Sequence, residues 1–271
     1  MKRFFCVLLF IAAVIGGLLL CDHVTRRDDS ERKFRSFYDE KQDIDVFFMG
    51  TSHVLDDITP MELWRDFGVT SYNMGTSSEC LGMTEWILKL TADVHKPKIA
   101  VIDVYYIDKP LDLEWTFSYR HLFFDSYPLS FRKFEAVRAT LPKGQWMEFM
   151  MPFSLYHSRW EELMTGTGER MINCEPFMMG SEMRIGRGEP LPYTRTHTMT
   201  EGELPGTQAL RNIIAYCREN GIEPVLMALP APVSEQEQAN MNSVLRLADE
   251  LNVPFLNLFD EDTGIDFYTD C

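Results

Sequence analysis

Two short strings carry the residue types that acyl chemistry needs. Gly50-Thr51-Ser52-His53 places a hydroxyl and an imidazole directly after the apolar run Val46-Phe47-Phe48-Met49, and Asn73-Met74-Gly75 follows a second, shorter run that starts at Val69. A serine in a tight turn between a buried strand and a helix has backbone N–H groups and a helix dipole beside it, and both favour developing negative charge. Gly50 permits the sharp turn. Backbone N–H groups near Ser52 and Gly75, together with the Asn73 side-chain amide, are the expected oxyanion donors. The competing reading is that Thr51 and Ser52 merely cap the turn, as hydroxyl residues after strands commonly do.

Further candidates line the expected substrate side. His53 adjoins Ser52 and is expected to contact substrate rather than to act as its base, because sequence neighbours rarely form a nucleophile–base pair. Tyr105 and Tyr106 follow a third apolar run, Lys98 to Val104. Tyr156-His157-Ser158-Arg159-Trp160 reads either as a wall of the pocket near Ser52, with His157 and Arg159 facing substrate, or as helix packing with Arg159 paired to Glu161 or Glu162. His121, His157 and His197 otherwise read as structural or surface residues. The six cysteines show no CxxC or metal spacing, so neither a disulfide framework nor a metal site is expected. No cofactor is expected either: the turn after the first strand has no Gly-rich phosphate loop, which counts against a nucleotide or flavin binder. A net charge of −15 argues against nucleic acid as a partner.

The elements that must position these residues follow from the apolar pattern. Strands are predicted over 45–50, 69–73, 98–104, 223–228 and 253–258. Helices are predicted over 60–67, 79–94, 205–220 and 234–251, with Gly68, Gly221 and Asn252 as stops. Strands alternating with helices in this way imply a doubly wound, three-layer parallel α/β sheet of flavodoxin-like type, in which ligands sit at the carboxyl ends of the strands. The alternation lapses over 109–204, a mostly helical insertion rich in aromatics, Met and Arg, with helices expected over 131–141 and 154–163 and a Gly-rich stretch over 180–192. The α/β core is therefore assigned to 44–108 and 205–271.

Residues 1–21 begin Met1-Lys2-Arg3 and run uncharged from Phe4 to Cys21, about 18 residues, which nearly matches the hydrocarbon thickness of a bilayer. The end of the run lacks the small residues of a cleavage site, so an uncleaved transmembrane anchor is favoured over a cleaved signal peptide. The α/β domain is expected on the extracytoplasmic side, although Arg26, Arg27, Arg32, Lys33 and Arg35 follow the span, because long domains translocate largely regardless of charge. Residues 22–43 are densely charged and read as a juxtamembrane stalk.

Phe47-Phe48-Met49-Gly50-Thr51-Ser52-His53 followed by Tyr72-Asn73-Met74-Gly75 resembles the first two blocks of the SGNH/GDSL hydrolase superfamily. The likeness is to its membrane-anchored branch, similar to the teichoic-acid D-alanylation and alginate O-acetylation proteins. It covers about 45–108 and 206–271 and implies Ser52 as nucleophile and Gly75 as an oxyanion donor. The family's third-block Asn has no counterpart, since Asp103-Val104-Tyr105-Tyr106 stands there, and its Asp-x-x-His is not found before Cys271. The resemblance therefore implies a C-terminally truncated fragment of a cell-envelope serine esterase or O-acyltransferase. Its expected partners are the membrane, an envelope polysaccharide or teichoic acid, and a membrane acyltransferase. A non-catalytic binding or scaffold protein using the same cleft is the alternative.

Overall fold

The structure, a computed structural model, describes residues 2–25, 28–165, 178–182, 195–259 and 264. Helix α1 (Lys2–Thr25) contains the apolar run, and its span Lys2–Asp22 is long and apolar enough to cross a membrane or to serve as a signal sequence. Helix α2 (Asp28–Asp39) follows it. The segment expected as a juxtamembrane stalk is thus largely a helix docked on the α/β core. Phe34 and Phe37, one helical turn apart, are fully buried in the main core. The Phe37 ring meets Phe47 at 5.7 Å and Tyr72 at 5.1 Å, and Phe34 meets Phe123 at 4.9 Å. Burying two such rings contributes roughly 1.5–3 kcal/mol each towards holding this charged helix against the sheet.

The apolar runs become β1 (Val46–Met49), β2 (Ser71–Asn73), β3 (Ile99–Asp103), β4 (Glu223–Ala228) and β5 (Phe255–Asn257). All pair in parallel, in the order β2-β1-β3-β4-β5. Parallel neighbours require crossovers, and the crossovers are helical. After β1 come α3 (Ser52–Asp57) and α4 (Pro60–Phe67); α5 (Leu81–Ala92) links β2 to β3. Beyond β3 lie α6 (His121–Phe124), α7 (Phe131–Thr140), α8 (Trp146–Met150), α9 (Phe153–Tyr156) and α10 (Trp160–Thr165). The alternation resumes with α11 (Thr207–Glu219) before β4, then α12 (Glu235–Asn242) and α13 (Val244–Leu251) before β5.

Strand residues alternate between two cores, as a period of two demands. Phe47, Met49, Ala100, Ile102, Leu226 and Ala228 enter the large core. Phe48, Val101 and Met227 enter a small one with Val54 and Leu229.

Two predicted helices are broken. The expected 154–163 helix is α9, a 3-10 turn at His157–Arg159, and α10. The expected 234–251 helix divides at Ser243 into α12 and α13. On α12 the polar residues are buried because a strap over 196–200 crosses them: Thr196 N donates to Gln238 Oε1 (3.0 Å), and Asn242 Nδ2 donates to the carbonyls of Thr196 (2.9 Å) and Thr198 (3.0 Å). Asn252, left-handed at φ 49°, closes α13 as expected.

In this strand order the topological switch lies between β1 and β3. The carboxyl ends of those two strands carry Gly50-Thr51-Ser52-His53 and Val104-Tyr105-Tyr106.

Candidate functional site at the carboxyl edge of the sheet

The turn after β1 is held by its first hydroxyl. Thr51 is buried, caps α3 by accepting from His53 N (3.3 Å), and donates from Oγ1 to Asp103 Oδ2 at the end of β3 (3.4 Å). Gly50 is required here by crowding: a Cβ would lie 2.6 Å from Asp103 Cβ. Thr51 therefore performs the capping that hydroxyls after strands provide, and Ser52 does not. Ser52, the first residue of α3, is half-buried and its hydroxyl makes no hydrogen bond among the described residues. His53 is also half-buried, and its Nδ1 is sealed from water with no partner among the described residues.

The loop after β2 corrects the expected oxyanion hole. Asn73 is fully buried, and its Nδ2 donates to the carbonyls of Val54 and Ile58, the latter at 2.9 Å. Its Oδ1 accepts from Gly75 N at 2.9 Å. Both expected donors, Asn73 and Gly75, are thus spent inside the turn. A Cβ on Gly75 would sit 2.8 Å from Thr51 O and 2.7 Å from Leu55 N, so the glycine lets this loop press against the Ser52 turn. The signal was in the sequence: an Asn whose side-chain oxygen accepts from the N–H two residues later is an Asx-turn.

Tyr105 and Tyr106 are brought to Ser52's side of the edge through His53. The His53 and Tyr105 rings lie 4.1 Å apart at 36°, and Tyr105 stacks on Tyr106 at 4.7 Å and 24°. Lys109 Nζ caps the column, 5.7 Å from the centre of the Tyr106 ring. The ring faces therefore cover one another, and a ligand meets ring edges and phenol groups. Burial lowers the His53 pKa, with Glu237 opposing, which keeps the imidazole neutral at neutral pH. Burial raises both tyrosines, with Glu237 adding to the effect, so both phenols stay protonated. Glu237 is fixed by a capping box with Ser234 at the start of α12, a contributor to the site that sequence reading missed. Beneath the turn, burial pushes Asp103 up to about 7.

A second buried cluster lies under the loop after β2. Lys33 of α2 is buried and its Nζ donates to Gly75 O. Burial drives Lys33 down to about 7, against the pull of Glu79, Glu182 and Asp56. Glu79, bonded through Oε2 to Thr76 Oγ1 at 2.7 Å, is pushed by burial up to about 8. Both shifts favour the neutral forms, as expected of ionisable groups taken out of water.

His157 and Arg159 do not join the site. Arg159 Nη1 donates to Thr25 O (2.9 Å), the last carbonyl of α1, and Phe153 N donates to Asp22 Oδ1 (2.8 Å). A guanidinium on orphan helix carbonyls is a C-terminal cap, so this string is the footing of α1 and not a wall of the cleft. Tyr156 belongs to the same footing, its hydroxyl donating to Asp125 Oδ2 at 2.9 Å.

No protein-family model matches the chain, and no curated protein matches it.

Proposed function

We propose that the carboxyl edge of the sheet performs acyl-ester chemistry of the SGNH type, with Ser52 as nucleophile. The chain is anchored by α1 and holds its α/β domain outside the cytoplasm. The substrate class is an acyl ester of an envelope glycan or teichoic acid, and the acyl group passes to water or to a carbohydrate hydroxyl. One observation carries this reading: at the switch point, where Thr51 and Asn73 are engaged in building the corner, the Ser52 hydroxyl is half-exposed and makes no hydrogen bond among the described residues. Ser52 Oγ attacks the acyl carbonyl, a base takes its proton, and backbone N–H groups of the turn receive the charge on the carbonyl oxygen. The resemblance assigns the base to an Asp-x-x-His pair. The neutral His53 and the protonated phenols of Tyr105 and Tyr106 line the approach and orient the ester.

The test is covalent labelling of the detergent-solubilised full chain with a fluorophosphonate, followed by peptide mass spectrometry. The adduct is expected on Ser52 and lost in Ser52→Ala. A chain that takes up no label at Ser52 under conditions that label a control serine esterase overturns the catalytic reading.

A binding or scaffold role at the same cleft is the second reading, favoured by the inward commitment of Asn73 and Gly75. It predicts that glycan or partner binding survives in Ser52→Ala.

A further inference from the structure

The foot of α1 is set in an apolar surround. Asp22 and Thr25 are each 4% exposed, closed over by Phe153 and by Arg159. Around this joint the apolar side chains turn outward: Val24 on the last turn of α1 is 53% exposed, Leu155 on α9 44%, Trp160 56% and Met164 80% on α10. Leu155 lies within the helix that packs on α1, and α10 begins at the residue after Arg159. A soluble surface gains nothing from four large apolar side chains beside the point where a membrane span leaves the domain. At the boundary between headgroups and acyl chains each is favourable, and tryptophan above all is enriched there.

The geometry points to a membrane-seating surface formed by Leu155, Trp160 and Met164, continuous with the end of α1, whose occupant is the headgroup and upper acyl region of the bilayer. Continuity with the span selects lipid as the occupant, because the anchor delivers this surface to the interface by itself. The seat also orients the site. Helix α2 runs antiparallel to the strands, from Lys33 at Gly75, beside the carboxyl end of β2, towards Ile44 at the start of β1. The chain therefore enters from α1 at the carboxyl edge, and a seated insertion turns the Ser52 edge towards the headgroups. This inference rests on the reading of α1 as an uncleaved anchor, not on the chemistry at Ser52.

The experiment places the full chain in nanodiscs of zwitterionic phosphatidylcholine, with or without bromine on the upper acyl chain, and measures tryptophan fluorescence. Co-elution with the discs reports the anchor; quenching by the brominated lipid reports the seat. Part of the emission is expected to be quenched in the wild type, and Trp160→Phe should remove at least half of that quenchable part. Trp64→Phe, on α4 near the amino end of β2, should leave it unchanged. Incorporation without any quenching, or a quenchable part equal in Trp160→Phe and wild type, overturns the seat while leaving the anchor intact. Failure to incorporate overturns the anchor and the seat together. Both tryptophans are more than half exposed, so neither substitution disturbs the core.

Discussion

Along the carboxyl edge of the sheet, the loop after β2 and the turn after β1 carry similarly polar side chains and treat them in opposite ways. Asn73 spends its amide on Val54 and Ile58 and its oxygen on Gly75 N. Thr51 spends its hydroxyl on Asp103 and on the cap of α3. Ser52 and His53, between them, keep a hydroxyl and a ring nitrogen unengaged among the described residues. The contrast separates residues that build the corner from residues the corner holds ready. Builders should register in stability, and the residues held ready should register in reactivity.

The largest stability effect should come from Asn73→Ala, which orphans the buried Gly75 N–H and the Ile58 carbonyl and removes one of the two donors to the Val54 carbonyl. At roughly 1–3 kcal/mol for each group left without a partner, a loss of about 3 kcal/mol is expected in denaturant unfolding of the detergent-solubilised chain. A loss under about 1 kcal/mol would sink the assignment of Asn73 as the clamp. Gly75→Ala should follow with about 1–3 kcal/mol, since its new methyl meets backbone atoms that cannot swing aside.

The buried acids should give a weaker, pH-dependent signal. Glu79 rises from 4.5 to about 8 and Asp103 from 3.8 to about 7, so folded protein holds protons that the unfolded chain releases. Their stabilising contribution is complete below the unfolded values and is lost as pH climbs through about 7 and 8. Lys33, lowered from 10.5 to about 7, has the opposite sign: burying it neutral costs stability at low pH, and that cost is relieved as pH rises from about 7 to 10.5. Melting temperature should therefore fall between about pH 4 and 7, level off between about 7 and 8, where Glu79 and Lys33 oppose each other, and recover above about 8. Glu79→Gln should flatten the fall; an unchanged slope would show that Glu79 titrates normally.

Smallest of all should be the stability change in Ser52→Ala, under about 0.5 kcal/mol, because no hydrogen bond is removed. That near-zero value beside complete loss of acyl labelling is the outcome that sharpens the contrast. A loss above about 1 kcal/mol would move Ser52 among the builders.

The sheet was legible because buried parallel strands are short apolar runs, and Phe47, Ile102 and Leu226 announce them. Its carboxyl edge followed from topology, and Ser52, His53, Tyr105 and Tyr106 all follow strand ends on that edge. Side-chain commitments were harder to read. Asn73 and Gly75 looked like donors aimed at substrate, whereas an Asx-turn consumes them. The docking of α2 was hidden by its charges, though Phe34 and Phe37 stand one turn apart. His157 and Arg159 misled because a polar and aromatic string gives no sign of which distant carbonyl it will cap; Thr25 lies far off in sequence. Glu237 was missed because a capping glutamate is chosen for its helix, and its field on His53 arises only from the fold. The Gly-rich expectation over 180–192 falls largely outside the described residues, as do Cys174 and Cys271.

The docking of α2 sets a working distance. As an extended tether, residues 22–43 would span roughly 75 Å at 3.3–3.6 Å per residue, enough to sweep a domain through a thick layer of wall polymer. Folded back along the sheet, with Phe34 and Phe37 in the core and Lys33 bonded to Gly75, the same residues add almost no length. On an uncleaved anchor, the radius of action is then that of the domain itself. If the proposed chemistry at Ser52 holds, it reaches esters within a few nanometres of the bilayer, and those on more distant polymer only when the polymer is brought inward.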